Sequence, residues 1–514
     1  MSKTIIIIGA GLAGLSAALQ AAENGCNVKL VSSLPSERAQ SVMAEGGINA
    51  ALNTKDENDS PEEHFTDTIK AACGLADPNA VWGMTQAAPE LVHWLLKLGV
   101  KFNMSGYDDV DLRNFGGQKK KRTAFAQSDT GKQIMTAMID AVRRKEASGM
   151  VERFSHHSFL TLRLCGNICC GCVIRDEYSQ ETVELPGDAV IVATGGMHGL
   201  FGNTTGSLSN TGEVTAELFR LGVPLANGEM IQYHPTTVKC GGKRMLISEA
   251  ARGEGGRLFA MKDGKQWYFM EEKYPELGNL MPRDITAREI WKVSHESEVF
   301  LDMTEISEEI ISNKLSGLAD DCMTYLHKDI RKEPVSVLPG IHYFMGGILV
   351  DEQHRTPIQN LYAAGECCAQ YHGANRLGGN SLLGALYGGR VAAKSACEQA
   401  DVVDLSCATQ IDFPPASQIS EIKQLNKVMQ ETMGVVRNEN TLLNGIQTVQ
   451  ALTGNLPLLG MAVLKSALAR KESRGAHWRE DYPKSNDDDY LKTTVARFDG
   501  KQIQISFIPV PERR

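Results

Sequence analysis

The stretch Thr4–Gly25, TIIIIGAGLAGLSAALQAAENG, decides the fold. Its four consecutive isoleucines, Ile5 to Ile8, read as a strand buried on both faces, because a half-exposed strand alternates apolar and polar residues. Gly9, Gly11 and Gly14 follow with G-x-G-x-x-G spacing and open a helix rich in alanine and leucine. In such a turn the first glycine reverses the chain and the second lets backbone N–H groups approach a pyrophosphate. The third packs helix on strand. The helix N-terminus adds a positive dipole for the phosphates. A second strand, Asn27 to Ser32, completes the strand–helix–strand order and predicts a dinucleotide-binding, Rossmann-like α/β domain. The acidic residue that usually holds a ribose about 20 residues further on is missing. Ser32 and Ser33 stand there, so a hydroxyl is expected to make that contact.

Two later segments repeat the pattern of a buried strand ending in glycine: DAVIVATGG (Asp188–Gly196) and NLYAAGECC (Asn360–Cys368). The second runs through HGANRLGGNS into a helix beginning near Asn380, Ser381 and Leu382. The nucleotide domain is therefore expected to be discontinuous, built from 1–229 plus 339–400. An α+β capping domain is expected over 230–338. A C-terminal helical domain with a strand-like tail, GKQIQISFIPV, is expected over 415–514.

Composition limits the function classes. A chain of 514 residues is long enough for two or three domains, and a net charge of -9 excludes a broad nucleic-acid surface. The charge-free run Thr4–Ala22 is no membrane span, since four isoleucines and then glycines are not about 20 apolar residues. A cytoplasmic protein with no membrane insertion of its own is expected. Cys165, Cys169, Cys170 and Cys172 are spaced too irregularly for a zinc or iron–sulfur site. They read as small apolar residues of a β-hairpin turning at Gly166–Asn167, with no metal site and no disulfide expected.

The chemistry-bearing residues are scattered: His234 in QYHPTT, Ser248, Glu249 and Arg252 in ISEAARGEGG, Arg283 in MPRDITAREI, His342 in GIHYFMGGI, and His372 and Arg376 in HGANRLGGNS. Singly, each has a structural reading, such as an Arg283–Asp284 ion pair. Together they show no nucleophile–base pair and no metal spacing. Arginines with histidines suit a small dianion, because guanidinium forks bind carboxylates bidentately.

These ordered motifs, with AEGGINAAL, FGGQKKKRTAFAQSDTG and RKESRGAHWREDYP, span nearly the whole chain. The sequence resembles the flavoprotein subunits of fumarate reductase and succinate dehydrogenase, a family that also contains L-aspartate oxidase. The resemblance implies FAD, contacted by Gly9, Gly11, Gly14, Ser32, Ser33, Glu45, Gly46, Gly47, Ala193, Thr194, Gly195, Glu213, Gly365 and Glu366. The N–H groups of Asn380, Ser381 and Leu382 would face the flavin pyrimidine ring and stabilise its anionic reduced form. His234, Ser248, His342 and Arg376 match substrate-carboxylate ligands, with Ser248 where threonine is usual. Arg283 matches a proton donor, and Glu249 and Arg252 match its relay to solvent. Glu45 resembles the reductases, where succinate dehydrogenases tend to carry glutamine, and Met345 and Leu377-Gly378 look more like reductases and dehydrogenases than aspartate oxidases.

Two positions depart from the family. Gln40 stands where complex members carry a histidine linked to FAD, which implies non-covalent FAD, a lower flavin potential and a bias towards reduction. Lys132-Gln133 stands where reductases carry an aromatic residue or histidine near the substrate. Fumarate reduction leads, with electrons from an iron–sulfur subunit or another electron-transfer protein, since this chain holds no cluster-binding cysteine set. L-aspartate oxidase and succinate dehydrogenase are the alternatives, and a non-catalytic flavin-binding or assembly protein is the reading from another class.

Overall fold

At the centre of a five-stranded parallel sheet lies β1 (Thr4–Ile8). The computed structural model describes all residues except 1, 107–108, 402–412 and 414–417. On one side of β1 run β2 (Asn27–Ser32) and then the strand Val151–Ser155. On the other run Ala189–Val192 and then Leu361–Ala363, all parallel. The isoleucine run is buried on both faces, as its composition predicts. Ile5 and Ile7 belong to the core shared with α1 (Leu12–Glu23) and the helix Asn380–Gln399. Ile6 and Ile8 belong to the opposite core, beneath the hairpin His157–Cys165/Ile168–Asp176. Each buried isoleucine side chain contributes roughly 1.5–3 kcal/mol.

That hairpin turns at Gly166–Asn167, and Cys169 and Cys172 fill its core face. One expectation fails here: Cys165 is disulfide-bonded. Sequence spacing carries no reliable information about pairing. Ten other cysteines carry free thiols.

The strand Ile231–Cys240 pairs with both Lys243–Leu246 and Leu338–Phe344, so the chain enters and leaves the segment between on neighbouring strands. That segment builds a four-stranded antiparallel sheet around Arg257–Lys262 and the helix Arg283–Val293. Its apolar cluster runs from Ile247 to Val337, and Phe115 joins it from the N-terminal part of the chain.

Helices Ile419–Thr432, Glu439–Val449 and Asn455–Ala469 share a core with Met197, Leu200 and Phe201. The strand-like tail is more integrated than its sequence suggests. Ile503–Pro509 pairs with Lys492–Phe498, which pairs in turn with Leu225–Ala226. The tail thereby completes a five-stranded sheet with Gly347–Leu349 and Cys368–Ala369. Among the described residues, no helix is long and apolar enough to cross a membrane.

Candidate active site

A cavity of about 560 Å³ opens at the carboxyl ends of the parallel strands and continues beneath the inserted segment, the usual ligand position in an open α/β sheet. Gly9, Gly11, Ser32, Ser33, Ala193, Thr194, Gly195, Glu213, Gly365 and Glu366 line its nucleotide end. Gly9 has φ +109, and a Cβ there would lie 2.3 Å from the Ala193 carbonyl oxygen. Gly14 does not line the cavity. It packs beneath the turn, where a Cβ would meet the Gly9 oxygen at 1.9 Å.

The first turn of α1 has neither a side-chain cap nor an acidic residue, so its N–H groups, apart from that of Leu12, which donates to Ser41 Oγ at 3.3 Å, are available to phosphate. Ser32 Oγ is buried with no hydrogen-bond partner at the end of β2. An orphaned hydroxyl, an uncapped helix and a glycine cradle fit FAD.

Glu45, Gly46, Gly47, Ser381 and Leu382 line the middle of the cavity. Asn380 does not, which corrects the expectation for its N–H. That group donates to Leu377 O at 3.2 Å. Its side chain is held by His64, Asn49 and Thr68. Gln40, in the short turn Gln40–Met43, lines the wall.

At the far end His234, Ser248, Glu249, Arg283, His342 and Arg376 converge. Five elements supply them. The bulged strand Ile231–Cys240 carries His234, and bulges re-aim side chains. Ser248 caps the short helix Glu249–Gly253, and Arg283 opens the helix Arg283–Val293. His342 comes from Leu338–Phe344, and Arg376 from the loop before Asn380.

Arg283 does not pair with the adjacent Asp284. Its Nε and Nη2 donate to Glu249 Oε2 at 2.9 and 2.6 Å, and its Nη1 donates to Gln232 Oε1 at 3.1 Å. Arg252 lies outside the cavity lining, behind Glu249, and donates to its Oε1 at 3.3 Å. Burial pushes the Glu249 carboxyl up, but Arg283 and Arg252 outweigh it and hold it below its usual value.

His234 and His342 stand edge to face with ring centroids 5.1 Å apart. Burial first, and the Arg283 charge second, push both imidazoles well below 6.5, so both are neutral at pH 7. Thr205 Oγ1 lies 2.8 Å from His342 Nδ1 and fixes the ring.

Arg376 is the outlier. It is 3% exposed. Among the described residues its guanidinium has no acidic partner, and its Nε is orphaned. The Tyr343 ring lies 4.4 Å from its Cζ, while Glu366 and Glu249 act on the charge without pairing with it. Burial, then Arg283, pushes it down to about 9, still protonated at pH 7. A buried cation without a counter-ion is costly unless a ligand supplies the anion.

Lys132 and Gln133 are not in this wall. Gly131 wedges against Ser41 and Ala44, and Lys132 is exposed in the first turn of the helix Thr130–Ala147. The aromatic wall is Phe115 instead, and a Cβ on Gly46 would touch its ring at 2.7 Å. Arg244, Asp321, Tyr325 and Thr205 also line the cavity and carried no recognisable sequence signal.

A family model described as "FAD binding domain" matches residues 4–382, and one described as "Fumarate reductase flavoprotein C-term" matches 452–513. The chain is similar to the succinate dehydrogenase flavoprotein subunit of Bacillus subtilis, at 38% identity over 576 aligned residues, covering 100% of this chain and 98% of the relative. It is 31% identical to the 8-methylmenaquinol:fumarate reductase flavoprotein subunit of Wolinella succinogenes, covering 100% and 92%. Among solved structures it resembles the E. coli quinol fumarate reductase with a TM-score of 0.90 and 27% identity, covering 99% and 97%. The chain therefore belongs to the flavoprotein family of succinate dehydrogenases and fumarate reductases, FAD-dependent oxidoreductases acting on the succinate/fumarate CH–CH group.

Proposed function

We propose that the protein reduces fumarate to succinate. The observation that carries this reading is the buried, counter-ion-free Arg376 beside two neutral histidines and the Arg283–Glu249–Arg252 chain. When bound, FAD supplies a hydride from its N5 to one alkene carbon. Arg376 grips one carboxylate bidentately, and Ser248, His234 and His342 contact the substrate as neutral polar groups. Holding both histidines uncharged keeps the net charge of the site low enough to stay dry. Their dipoles, with Arg376, stabilise charge developing on the carboxylate in the transition state.

Arg283 donates the proton to the second carbon. A guanidinium is ordinarily too weak an acid for this. Here Glu249, touching both Arg283 and Arg252, is placed to return the proton at once through two hydrogen bonds. Glu249, held ionised between two arginines, passes a proton from Arg252 to Arg283 as Arg283 gives up its own, and Arg252 is reprotonated in turn from solvent.

Gln40 offers no ring nitrogen for a bond to the flavin, so the reading includes non-covalent FAD: acid precipitation should release all of it into the supernatant. The loss of that bond lowers the flavin potential and favours the reducing direction. Electrons come from a separate donor, an iron–sulfur subunit or another electron-transfer protein, and the relatives' naming as flavoprotein subunits supports a partner subunit. The name of the relative at 38% identity favours the reverse direction.

Anaerobic turnover separates the two. Oxidation of reduced viologen by fumarate at a rate well above dye reduction by succinate supports the proposal. Faster succinate oxidation overturns the direction. Peroxide formation from L-aspartate in air would replace the substrate.

A further inference from the structure

Away from the cavity the fold brings two thiols together. Cys26 sits in the turn between α1 and β2, and Cys397 in the last turn of the helix Asn380–Gln399. Their Sγ atoms are 2.8 Å apart although 371 residues separate them in sequence. That is well inside sulfur van der Waals contact and about 0.75 Å beyond a covalent S–S bond. Cys26 is 5% exposed, whereas Cys397 is half-buried and open to a small oxidant. The Lys3 ammonium donates to the Cys397 carbonyl at 2.8 Å and brings a positive charge to the pair. Burial, then the hydrogen bond with Cys26, pushes the Cys397 thiol well above its usual value, so it is protonated at pH 7 and reacts slowly, which calls for excess peroxide.

We propose that Cys26 and Cys397 are an oxidative modification site, forming a reversible disulfide that staples the two halves of the split nucleotide domain. The oxidant is hydrogen peroxide, the product when a reduced flavin loses its electrons to dioxygen. One sulfur attacks a peroxide oxygen. The O–O bond breaks, water leaves and a sulfenic acid remains. The second sulfur attacks the first, the S–O bond breaks and a second water leaves. Two thiols and one peroxide thus give one disulfide and two waters, and a small dithiol reverses the bond.

The position gives the bond its consequence. α1 and the helix Asn380–Gln399 pack along each other and present their first turns to the cofactor cavity. The cysteines tie their opposite ends. Closing so long a loop removes much entropy from the unfolded chain. The expected rise in melting midpoint is about 5 °C for a chain of this length. Flavin release should slow with it.

The test treats flavin-loaded wild-type protein, Cys397→Ser and Cys26→Ser with excess hydrogen peroxide, followed by peptide mapping without reductant and thermal unfolding. The expected result is a linked Cys26–Cys397 peptide in the wild type. Its midpoint rises by about 5 °C and reverts with dithiothreitol, while neither serine variant shifts. Full alkylation of both thiols after peroxide would overturn the site, as would linkage of either thiol to another cysteine. A linked pair with an unchanged midpoint would overturn the stapling role.

Discussion

Replacing Arg376 by methionine should stabilise the ligand-free protein while abolishing its response to substrate. The guanidinium is pushed from 12.5 down to about 9 by burial and by Arg283. At about 1.36 kcal/mol per tenfold change, holding this charge in the fold costs on the order of 5 kcal/mol. The folded-state value is the lower one, so the penalty is complete at pH 7 and shrinks only above about pH 9. Contact with the Tyr343 ring offsets about 1–2 kcal/mol. Methionine keeps most of the apolar stem, so the variant should gain about 1–3 kcal/mol. With an unfolding entropy of about 2.1 cal/mol/K per residue, that is a midpoint rise of about 1–3 °C. A saturated dicarboxylate at 100 times its Kd should stabilise the wild type by about 2.7 kcal/mol, or about 2–3 °C, and leave the variant unmoved. Loss of a charge-assisted bidentate contact should lower kcat/KM for fumarate about 10³-fold. Scanning calorimetry of the flavin-loaded proteins, with and without the dicarboxylate, reads all but the last. A variant that melts several degrees lower, yet still responds to the ligand, would refute the account of Arg376 as a cation awaiting its anion.

Three further outcomes follow from the site. Arg283→Ala should retain FAD, seen in its absorbance, and lose fumarate reduction by about 10²-fold or more; retention of a tenth of the rate would exclude Arg283 as the proton donor. Burial, then Asp321, pushes the Glu45 carboxyl up to about 8, so it is neutral at pH 7 and anionic at pH 9, when it repels a dicarboxylate near Ser248. KM for fumarate should rise roughly tenfold over that span in the wild type and only about twofold in Glu45→Gln, the residual rise coming from Arg376, which is half-titrated at about 9. Gly475 has φ +54, and a Cβ there would meet Ala374 O at 2.6 Å, in the loop that carries Arg376. Gly475→Ala should therefore raise KM about tenfold or more with FAD still bound, because a displacement near 1 Å is enough; an unchanged KM would show that the loop is held elsewhere.

The parts of this fold legible in the sequence are those set by local pattern. Ile5–Ile8 and the three glycines announced a doubly covered strand and its turn, and Gly166–Asn167 announced a hairpin. The expected absence of an acid at the end of β2 led to Ser32, whose hydroxyl is orphaned in the cavity. What stayed hidden depends on contacts between distant segments. Arg283 has an acid beside it in sequence yet pairs with Glu249, 34 residues away. Nothing in HGANRLGG indicates that Arg376 lacks a counter-ion. The suspicion about Lys132 failed because Gly131, not its neighbour, is what packs against the Ser41–Ala44 turn. Phe115 was within a quoted motif, but only its position under Gly46 makes it a wall of the site.

The edge strand Leu361–Ala363 bears on how the molecule is made. It pairs with Ala189–Val192, which pairs with β1 near the start of the chain. At about 5–20 residues per second, a ribosome needs roughly 20–70 s to travel from Ile8 to Ala363. Through that interval one flank of the nascent sheet has no neighbour, and α1 waits for the helix Asn380–Gln399 that covers it. A run of four isoleucines near such an open edge is the kind of segment that recruits other chains. Expression at lower temperature, or with more of a chaperone that shelters nascent strands, should therefore raise the soluble yield far more than any stabilising substitution in the finished protein.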